Sequence, residues 1–289
     1  MNISKIQYLI RSLSNSFQKP TCPSCGSTNH KTIDRKFIVT SLKECEECNI
    51  YYRFPGDATD FNKEFYQEDY IEKGLTTDLP SSAVLKKLIE TSFKNSEKDF
   101  TFHIDLIKSI LNKKKEIKIL DFGANWGYAS YQFKKSGFEV ESFEISKHKV
   151  KFAKQLGIDI KTDLEHLGGD LDVFFSSHVI EHHPHPNEMI ALAKKLLKKD
   201  GVMITFCPNG SDELRNVNFQ SFHKYWGMVH PNYFADKYFT KNFNQNPYYI
   251  TSSANYNEIE KQVFSDQKIG DTSGLELLVI AQPNMEVEN

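Results

Sequence analysis

An α/β protein with an open, doubly wound sheet, led by a small metal-binding module, is what the sequence predicts. Three observations carry that expectation. From residue 117 onward, short apolar runs alternate with stretches of helical pattern. The first of those runs ends in an acid and a glycine-bracketed turn, "LDFGANWG" (120–127). Four of the five cysteines stand near the start of the chain as two Cys-x-x-Cys pairs. Strand and helix in strict alternation imply parallel β-α-β crossovers, which close an open sheet with helices on both faces.

The chain has 289 residues, 39% of them hydrophobic, with a mean hydropathy of −0.51. That suits a globular protein of one large domain, or of one large and one small. Nothing approaches the roughly 18 uninterrupted apolar residues of a membrane span. In "MNISKIQYLIRSLSNSFQKP" Lys5 and Arg11 interrupt the apolar positions, so no signal-peptide core forms; residues 1–20 read as an N-terminal helix or tail. A net charge of −2 and a pI near 6.6 carry no signature of phosphate binding, and nucleic acid is not indicated. The lysine runs "LNKKKEIK" and "AKKLLKKDG" read as solvated helix ends. Without an export signal the thiols are expected in a reducing cytoplasm, where paired cysteines indicate metal rather than disulfides.

Cys22, Cys25, Cys45 and Cys48 follow the pattern C-x2-C-x19-C-x2-C. This spacing fits a four-thiolate zinc site: each Cys-x-x-Cys turn brings two sulfurs to one tetrahedral ion. The intervening "KTIDRKFIVTSLKEC" has the β-branched content of a hairpin. With all four positions filled by protein, such an ion is structural, and it supplies folding free energy that a core this small lacks. Iron would satisfy the same ligands. Residues 21–55 are therefore read as a zinc ribbon, and 56–80, rich in aromatics and acids, as a connector. "TTDLPSS" offers the turn and helix cap that open the large domain, 81–289.

In that domain a helical stretch is expected from about Ala83 to Leu111, followed by strand "IKILDF". Helix "WGYASYQFKKSG" leads to strand "FEVESFEI", and helix "KHKVKFAKQLG" to strand "IDIK". Strand "LDVFFSS", helix "PNEMIALAKKLLKKDG" and strand "VMITFCP" complete the alternation. Nucleotides bind such sheets at the carboxyl ends of the strands, near the switch in strand order. The dinucleotide fingerprint G-x-G-x-x-G is not met, because Asn125 stands between Gly123 and Gly127 and no third glycine follows. An acid at the strand end, Asp121, suits the cationic amino group of a methionine moiety better than a pyrophosphate. That charge preference favours S-adenosylmethionine over NAD. Glu144, 23 residues further on and at the end of the next strand, is placed to accept both ribose hydroxyls.

"ILDFGANWG", "FEVESFEIS", "LDVFFSSHVIEHHPHP" and "AKKLLKKDGVMITFCPN" resemble, in that order, the motifs of class I S-adenosylmethionine-dependent methyltransferases. The resemblance covers about residues 117–209. Upstream, the cysteine ribbon and "EFYQEDYIEKG" resemble a bacterial subgroup with an N-terminal zinc ribbon, often linked to sugar, polysaccharide or secondary-metabolite modification. Downstream, "HKYWGMVHPNYFADKYFT" is similar to that subgroup's segment after the fifth strand. The resemblance implies a mostly parallel seven-stranded sheet, with "LELLVIAQ" as its final antiparallel strand. It also implies that Asp121, Gly123, Ala124, Asn125 and Gly127 surround the methionine part, and that Glu144 binds ribose. Asp163 and Leu164 would flank the adenine, and Ser177 and His178 would lie beside the sulfonium. Asn125, a departure from the usual middle glycine, is accommodated if its side chain turns outward. The acceptor implied is a small or carbohydrate-type molecule.

"SHVIEHHPHPNE" places His178, Glu181, His182, His183 and His185 within eight residues. If Val179 to His182 form a helical turn, His178, Glu181 and His182 share one face. Two readings compete: a histidine that takes a proton from the acceptor, or a Glu181-His182 scaffold pair with His183 and His185 facing solvent. The stretch also resembles the metal-binding E-x-x-E-H motif of small-RNA 2′-O-methyltransferases, with His178 in the first position and His223 or His230 as distant ligands. His178, His230 and Tyr225 are the catalytic candidates. Tyr225 and Trp226 either stack on an acceptor ring or belong to the core. Cys207 reads as a small buried residue. The rival from another class is a non-catalytic binding module that keeps the fold and uses its ribbon for a protein or nucleic-acid partner.

Overall fold

The computed structural model describes residues 3–56, 78–111, 115–253 and 266–287. Most of the expected connector, 57–77, lies outside them.

A helix, α1 (Ile3–Asn15), precedes the expected hairpin of β1 (His30–Lys36) and β2 (Thr40–Cys45), which pair antiparallel from His30↔Cys45 to Lys36↔Thr40. Strand β3 (Tyr51–Phe54) adds to β2. The fourth strand of this sheet comes from far along the chain: β8 (Asn232–Tyr233) pairs with β3 through Tyr51↔Tyr233 and Tyr52↔Asn232. Cys22, Cys45, Ile50 and Tyr52 lie in one continuous apolar cluster with Phe122, Phe234 and Tyr238 of the large domain. The Oγ of Ser24, inside the first Cys-x-x-Cys turn, lies 3.1 Å from the Tyr238 hydroxyl.

The expected helix over 83–111 is two helices, α2 (Ser82–Glu90) and α3 (Thr101–Ile110). Ser92, Phe93 and Asn95 adopt left-handed φ between them. Asp99 fixes the break: Oδ2 accepts from the Asn95 amide and Oδ1 from the Thr101 amide. A short acceptor side chain thus competes with the helical ladder, as Asp and Asn do. Phe93 is fully buried there, 6.3 Å from the Trp126 ring.

The large sheet then forms from β4 (Lys118–Phe122), β5 (Glu139–Phe143), β6 (Leu171–Ser177), β7 (Leu197–Pro208), β9 (Tyr248–Ser252), β10 (Gln267–Ile269) and β11 (Glu276–Ala281). Its seven strands run in the order β10-β9-β11-β7-β6-β4-β5. β5, β4, β6 and β7 are parallel, and β11 lies antiparallel between β7 and β9. β4 and β6 are buried almost throughout, as strands covered on both faces require. "IDIK" is not a strand; it contributes a single bridge, Phe143↔Lys161, and the seventh position falls to β10. The helices α4 (Tyr128–Lys135), α5 (Lys147–Ala153) and α6 (Pro186–Leu196) alternate with the parallel strands. α6 ends five residues before the expected Gly201, because Leu197 already pairs with Leu171. A Cβ at Gly201 would meet the Leu171 carbonyl oxygen at 2.9 Å, so glycine permits that approach. Among the described residues, three short helices, α7 (Asp212–Val217), α8 (Phe219–Tyr225) and α9 (Asp236–Asn242), lie between β7 and β9.

The chain leaves β4 for β5 on one side and returns to β6 on the other. The strand order therefore reverses at β4, and the carboxyl ends of β4, β5 and β6 frame the crevice where such sheets bind ligands.

Candidate functional site

Asp121 is the next-to-last residue of β4 and is buried. Its Oδ2 accepts from Ser130 Oγ at 2.5 Å, and Ser130 in turn accepts from Ser142 Oγ at 2.8 Å. Burial raises the carboxyl to about 6, with Glu144 adding to the rise and the Ser130 bond opposing it. A hydroxyl donor leaves the negative charge uncompensated, whereas a ligand ammonium would reverse the shift. The sign follows: Asp121 takes up a proton as pH falls through about 6 and then attracts no cation. Affinity for an amino-acid-bearing nucleoside is expected to fall about tenfold or more between pH 7.5 and 5, as loss of a charged hydrogen bond implies. Calorimetric titration with S-adenosylhomocysteine at both pH values checks this, and Asp121→Asn should flatten the dependence.

The turn after β4 holds three left-handed residues, Gly123 (φ 84°), Asn125 (φ 54°) and Gly127 (φ 82°). Asparagine is among the side chains that best tolerate this region, which explains how it stands where the motif has glycine. Its side chain does not turn outward as expected. Asn125 is buried, and Oδ1 accepts from the Trp126 amide at 2.9 Å. Gly123 N and Ala124 N both donate to the Phe143 carbonyl, locking the turn to the end of β5. The Gly123 backbone packs so closely on Val179 that an added Cβ would lie 2.4 Å from Cγ2.

Glu144 follows β5 and is held from both sides. Oε2 accepts from the Asn125 amide at 3.0 Å and Oε1 from the Ser146 amide at 2.8 Å. Each oxygen retains a lone pair for a further donor. Asp163 Oδ1 accepts from Glu165 N and so caps a short turn over Leu164–His166. Leu164 is exposed, as is Ile145 beside Glu144. Leu164 also lines, with Phe122, His183, Met189 and Leu192, a cavity of about 280 Å³.

The carboxyl end of β6 carries Ser177, then His178 in a left-handed conformation (φ 55°), then a tight turn over Ile180–His182. His178 and Glu181 meet as their i, i+3 spacing requires, Nδ1 to Oε1 at 3.3 Å. On its other side His178 Nε2 lies 3.5 Å from Glu276 Oε2 of β11. Burial works to lower the imidazole's pKa, but the two carboxylates outweigh it and raise the group to about 10. Near neutral pH the ring therefore carries its proton and donates hydrogen bonds. His182 Nδ1 lies 2.8 Å from the Val229 carbonyl and His230 Nδ1 2.8 Å from the Tyr225 carbonyl. Burial lowers His182 to about 4. His183 bonds within the turn, and exposed His185 lies 3.2 Å from the Pro23 carbonyl of the ribbon.

His223 is not part of this cluster. Its Nδ1 lies 2.6 Å from Asp34 of β1, which also accepts from Trp226 Nε1. Trp226 is fully buried among Leu42, Tyr51, Phe222 and Tyr233, so it is core and offers no stacking surface. Cys207 is buried, and burial raises its thiol well above the ordinary value, as befits an inert core residue.

The four ribbon cysteines converge. Cys22 and Cys48 Sγ lie 3.5 Å apart, as do Cys25 and Cys45, with all four within 4.8 Å. Bonds of about 2.3 Å to a tetrahedral zinc place sulfurs roughly 3.8 Å apart, so this donor set is compatible with that ion.

The family model for a methyltransferase domain matches residues 96–253, more than half of the chain. The chain belongs to this methyltransferase family. It is an S-adenosylmethionine-dependent methyltransferase with the class I fold. Similar solved structures include the plantazolicin methyltransferase BpumL bound to a desmethylplantazolicin analogue and S-adenosylhomocysteine. That likeness is 16% identical with a TM-score of 0.45, covering 69% of this chain and 90% of that one. A TehB-like S-adenosylmethionine-dependent methyltransferase from Corynebacterium glutamicum is 15% identical with a TM-score of 0.45, covering 69% and 95%. A possible histamine N-methyltransferase from Thermotoga maritima is 14% identical with a TM-score of 0.42, covering 70% and 98%. No curated protein matches the chain. Among the described residues no helix is long and apolar enough to cross a membrane.

In this methyltransferase three site neighbours have no signal in the sequence. Glu276 reaches His178 only because β11 pairs beside β7, with Glu276 opposite Pro208. Ser130 and Ser142 form the hydroxyl relay under Asp121 because α4 and β5 fold over β4. Glu276 is far along the chain from His178, and the two serines are ordinary in composition.

Proposed function

We propose that this methyltransferase moves the methyl group of S-adenosylmethionine to a small, carbohydrate-type acceptor in the cytoplasm and releases S-adenosylhomocysteine. The donor reading rests on one observation above all. At adjacent strand ends stand a buried carboxylate that takes a hydroxyl hydrogen bond from Ser130, Asp121, and a carboxylate clamped by two backbone amides, Glu144. The first matches the ammonium of the methionine part and the second the ribose diol. Gly123, Ala124, Asn125 and Gly127 provide the backbone between them. Ser177 and His178 border the sulfonium, and Asp163 and Leu164 border the adenine.

His178 is half exposed at the carboxyl end of β6, its two ring nitrogens facing Glu181 and Glu276. We assign it the acceptor-side role ahead of His230 and Tyr225. Methyl transfer from a sulfonium is an in-line displacement, so alignment of the two reactants supplies much of the rate. We further assign zinc to Cys22, Cys25, Cys45 and Cys48, as the structural ion of a ribbon-bearing subgroup. Cysteines gathered as metal ligands suit a reducing compartment. In this reading the chain divides as 1–20, 21–55, 56–80 and 81–289.

The experiment is acceptor-dependent release of S-adenosylhomocysteine across a panel of nucleotide-linked and free sugars, catechols and peptides. The expected result is turnover with a sugar-type acceptor, and turnover confined to peptides would contradict the acceptor class. His178→Ala is expected to lower kcat about tenfold, as loss of one charged hydrogen bond on the acceptor side implies. Full turnover in that variant would remove His178 from the reaction.

A further inference from the structure

Glu181 is fully buried; the protonated His178 ring stands 3.3 Å from Oε1, a long contact, and neither carboxylate oxygen has a hydrogen bond of good geometry. One imidazolium at that distance compensates a buried carboxylate only in part, and a second cation would lower the cost further. Two imidazoles face it. The Nδ1 of His182 bonds the Val229 carbonyl and that of His230 the Tyr225 carbonyl. A bond to a carbonyl requires the proton on Nδ1, so in the neutral ring Nε2 is the nitrogen with a lone pair to offer a metal. The rings lie 4.9 Å apart at 51°. His182 Nε2 is 3.9 Å from Glu181 Oε1, and one ligand atom from each of Glu181, His182 and His230 falls within 4.8 Å of the others. A backbone carbonyl on the far nitrogen is the support that metal-binding histidines use to fix tautomer and orientation.

We propose that Glu181, His182 Nε2 and His230 Nε2 form a binding site for one divalent transition-metal ion, separate from the cysteine tetrad. Two imidazoles and one carboxylate suit zinc, cobalt, nickel or iron(II) rather than calcium or magnesium, which take oxygen ligands. Bonds of 2.0–2.2 Å draw tetrahedral ligand atoms to roughly 3.4 Å, a closure of at most about 1.4 Å from the 4.8 Å within which they lie here. His230 lies in the segment between α8 and β8, so that closure moves a loop rather than the sheet. Three protein ligands leave at least one position open for water or an oxygen of a bound molecule. His178, 3.3 Å from Glu181, borders that position. The turn is also joined to the donor side, because Val179 packs on Gly123.

The test is a metal count that does not depend on activity. Tag-free, full-length protein carrying one zinc in its cysteine site is titrated with cobalt(II) and followed by calorimetry and visible absorption. A second equivalent is expected, with the weak bands of nitrogen and oxygen ligands and without the intense near-ultraviolet absorption of thiolate. His230→Ala, a loop variant, is expected to weaken that equivalent at least 100-fold while the cysteine-bound zinc stays. Glu181→Gln should do the same. Only one equivalent per chain, or a second that persists unchanged in His230→Ala, would overturn the site. In that event the imidazolium of His178 alone balances Glu181.

Discussion

Cys45→Ser is expected to lower the thermal midpoint by about 10 °C or more and to reduce bound zinc below one equivalent per chain. Cys45 is fully buried, its Sγ 3.5 Å from that of Cys25. A structural zinc contributes its binding free energy to folding, and even ~4 kcal/mol moves the midpoint by roughly 10 °C in a protein of this size. The effect does not stop at the ribbon. β3 pairs with β8, and Cys22 and Cys45 share a cluster with Phe122, Phe234 and Tyr238, so loosening the tetrad loosens the wall of the large domain. Cys207→Ala is the control. It removes a buried thiol from the same cluster but no metal ligand, so the zinc content should stay at one. Calorimetric melting with metal analysis decides. A Cys45→Ser protein that keeps both its zinc and its midpoint would remove the metal from the account.

Gly123→Ala is expected to abolish measurable donor binding, a loss of at least 100-fold, and to destabilise the protein by about 3 kcal/mol. Two terms add. A left-handed φ of 84° costs an L-residue about 1–2 kcal/mol. The new Cβ would also lie 2.4 Å from Val179 Cγ2, which forces the turn or the Ile180–His182 segment to move. Overpacking of this kind costs about 1–3 kcal/mol. Gly137→Ala separates the terms, because Gly137 has φ 91° but nothing within 4 Å of an added Cβ. It should show the strain alone and leave donor affinity intact. Adding Val179→Ala to Gly123→Ala should restore part of the binding by relieving the clash. Titration with S-adenosylhomocysteine and thermal melting read both effects, and normal affinity in Gly123→Ala would contradict the placement of this turn against the donor.

What could be read ahead of the structure follows from how local the signal is. "LDVFFSS" is strand β6 over the residues expected, because an apolar run bounded by turn residues needs no distant information. The final antiparallel strand over "LELLVIAQ" is also found, as β11. The four cysteines meet because both pairs sit in tight turns flanking one hairpin. Where a distant group decides, the sequence is silent. The break between α2 and α3 is local, but it depends on a side-chain geometry, Asp99 turning back to Asn95, that composition does not display. The loss of "IDIK" as a strand leaves only Lys161 bridged to β5. Trp226 is core because Asp34, from the ribbon, accepts its indole N–H. Of the two distant histidines, His230 joins Glu181 and His182 while His223 is drawn away to Asp34. His223 lies in the last turn of α8 and His230 five residues beyond its end, and only the fold separates them.

The central claim is that the ends of β4 and β5 hold S-adenosylmethionine. Calorimetric titration of the zinc-loaded protein with S-adenosylhomocysteine tests it most directly, with NAD as the competing ligand and Glu144→Ala alongside. The account predicts a Kd of about 1 μM, or about −8 kcal/mol, for S-adenosylhomocysteine and no heat with NAD. It predicts at least tenfold weaker binding in Glu144→Ala, since a charged hydrogen bond is worth about 1.5–3 kcal/mol. A folded protein that ignores S-adenosylhomocysteine, or binds it equally well without Glu144, would contradict it.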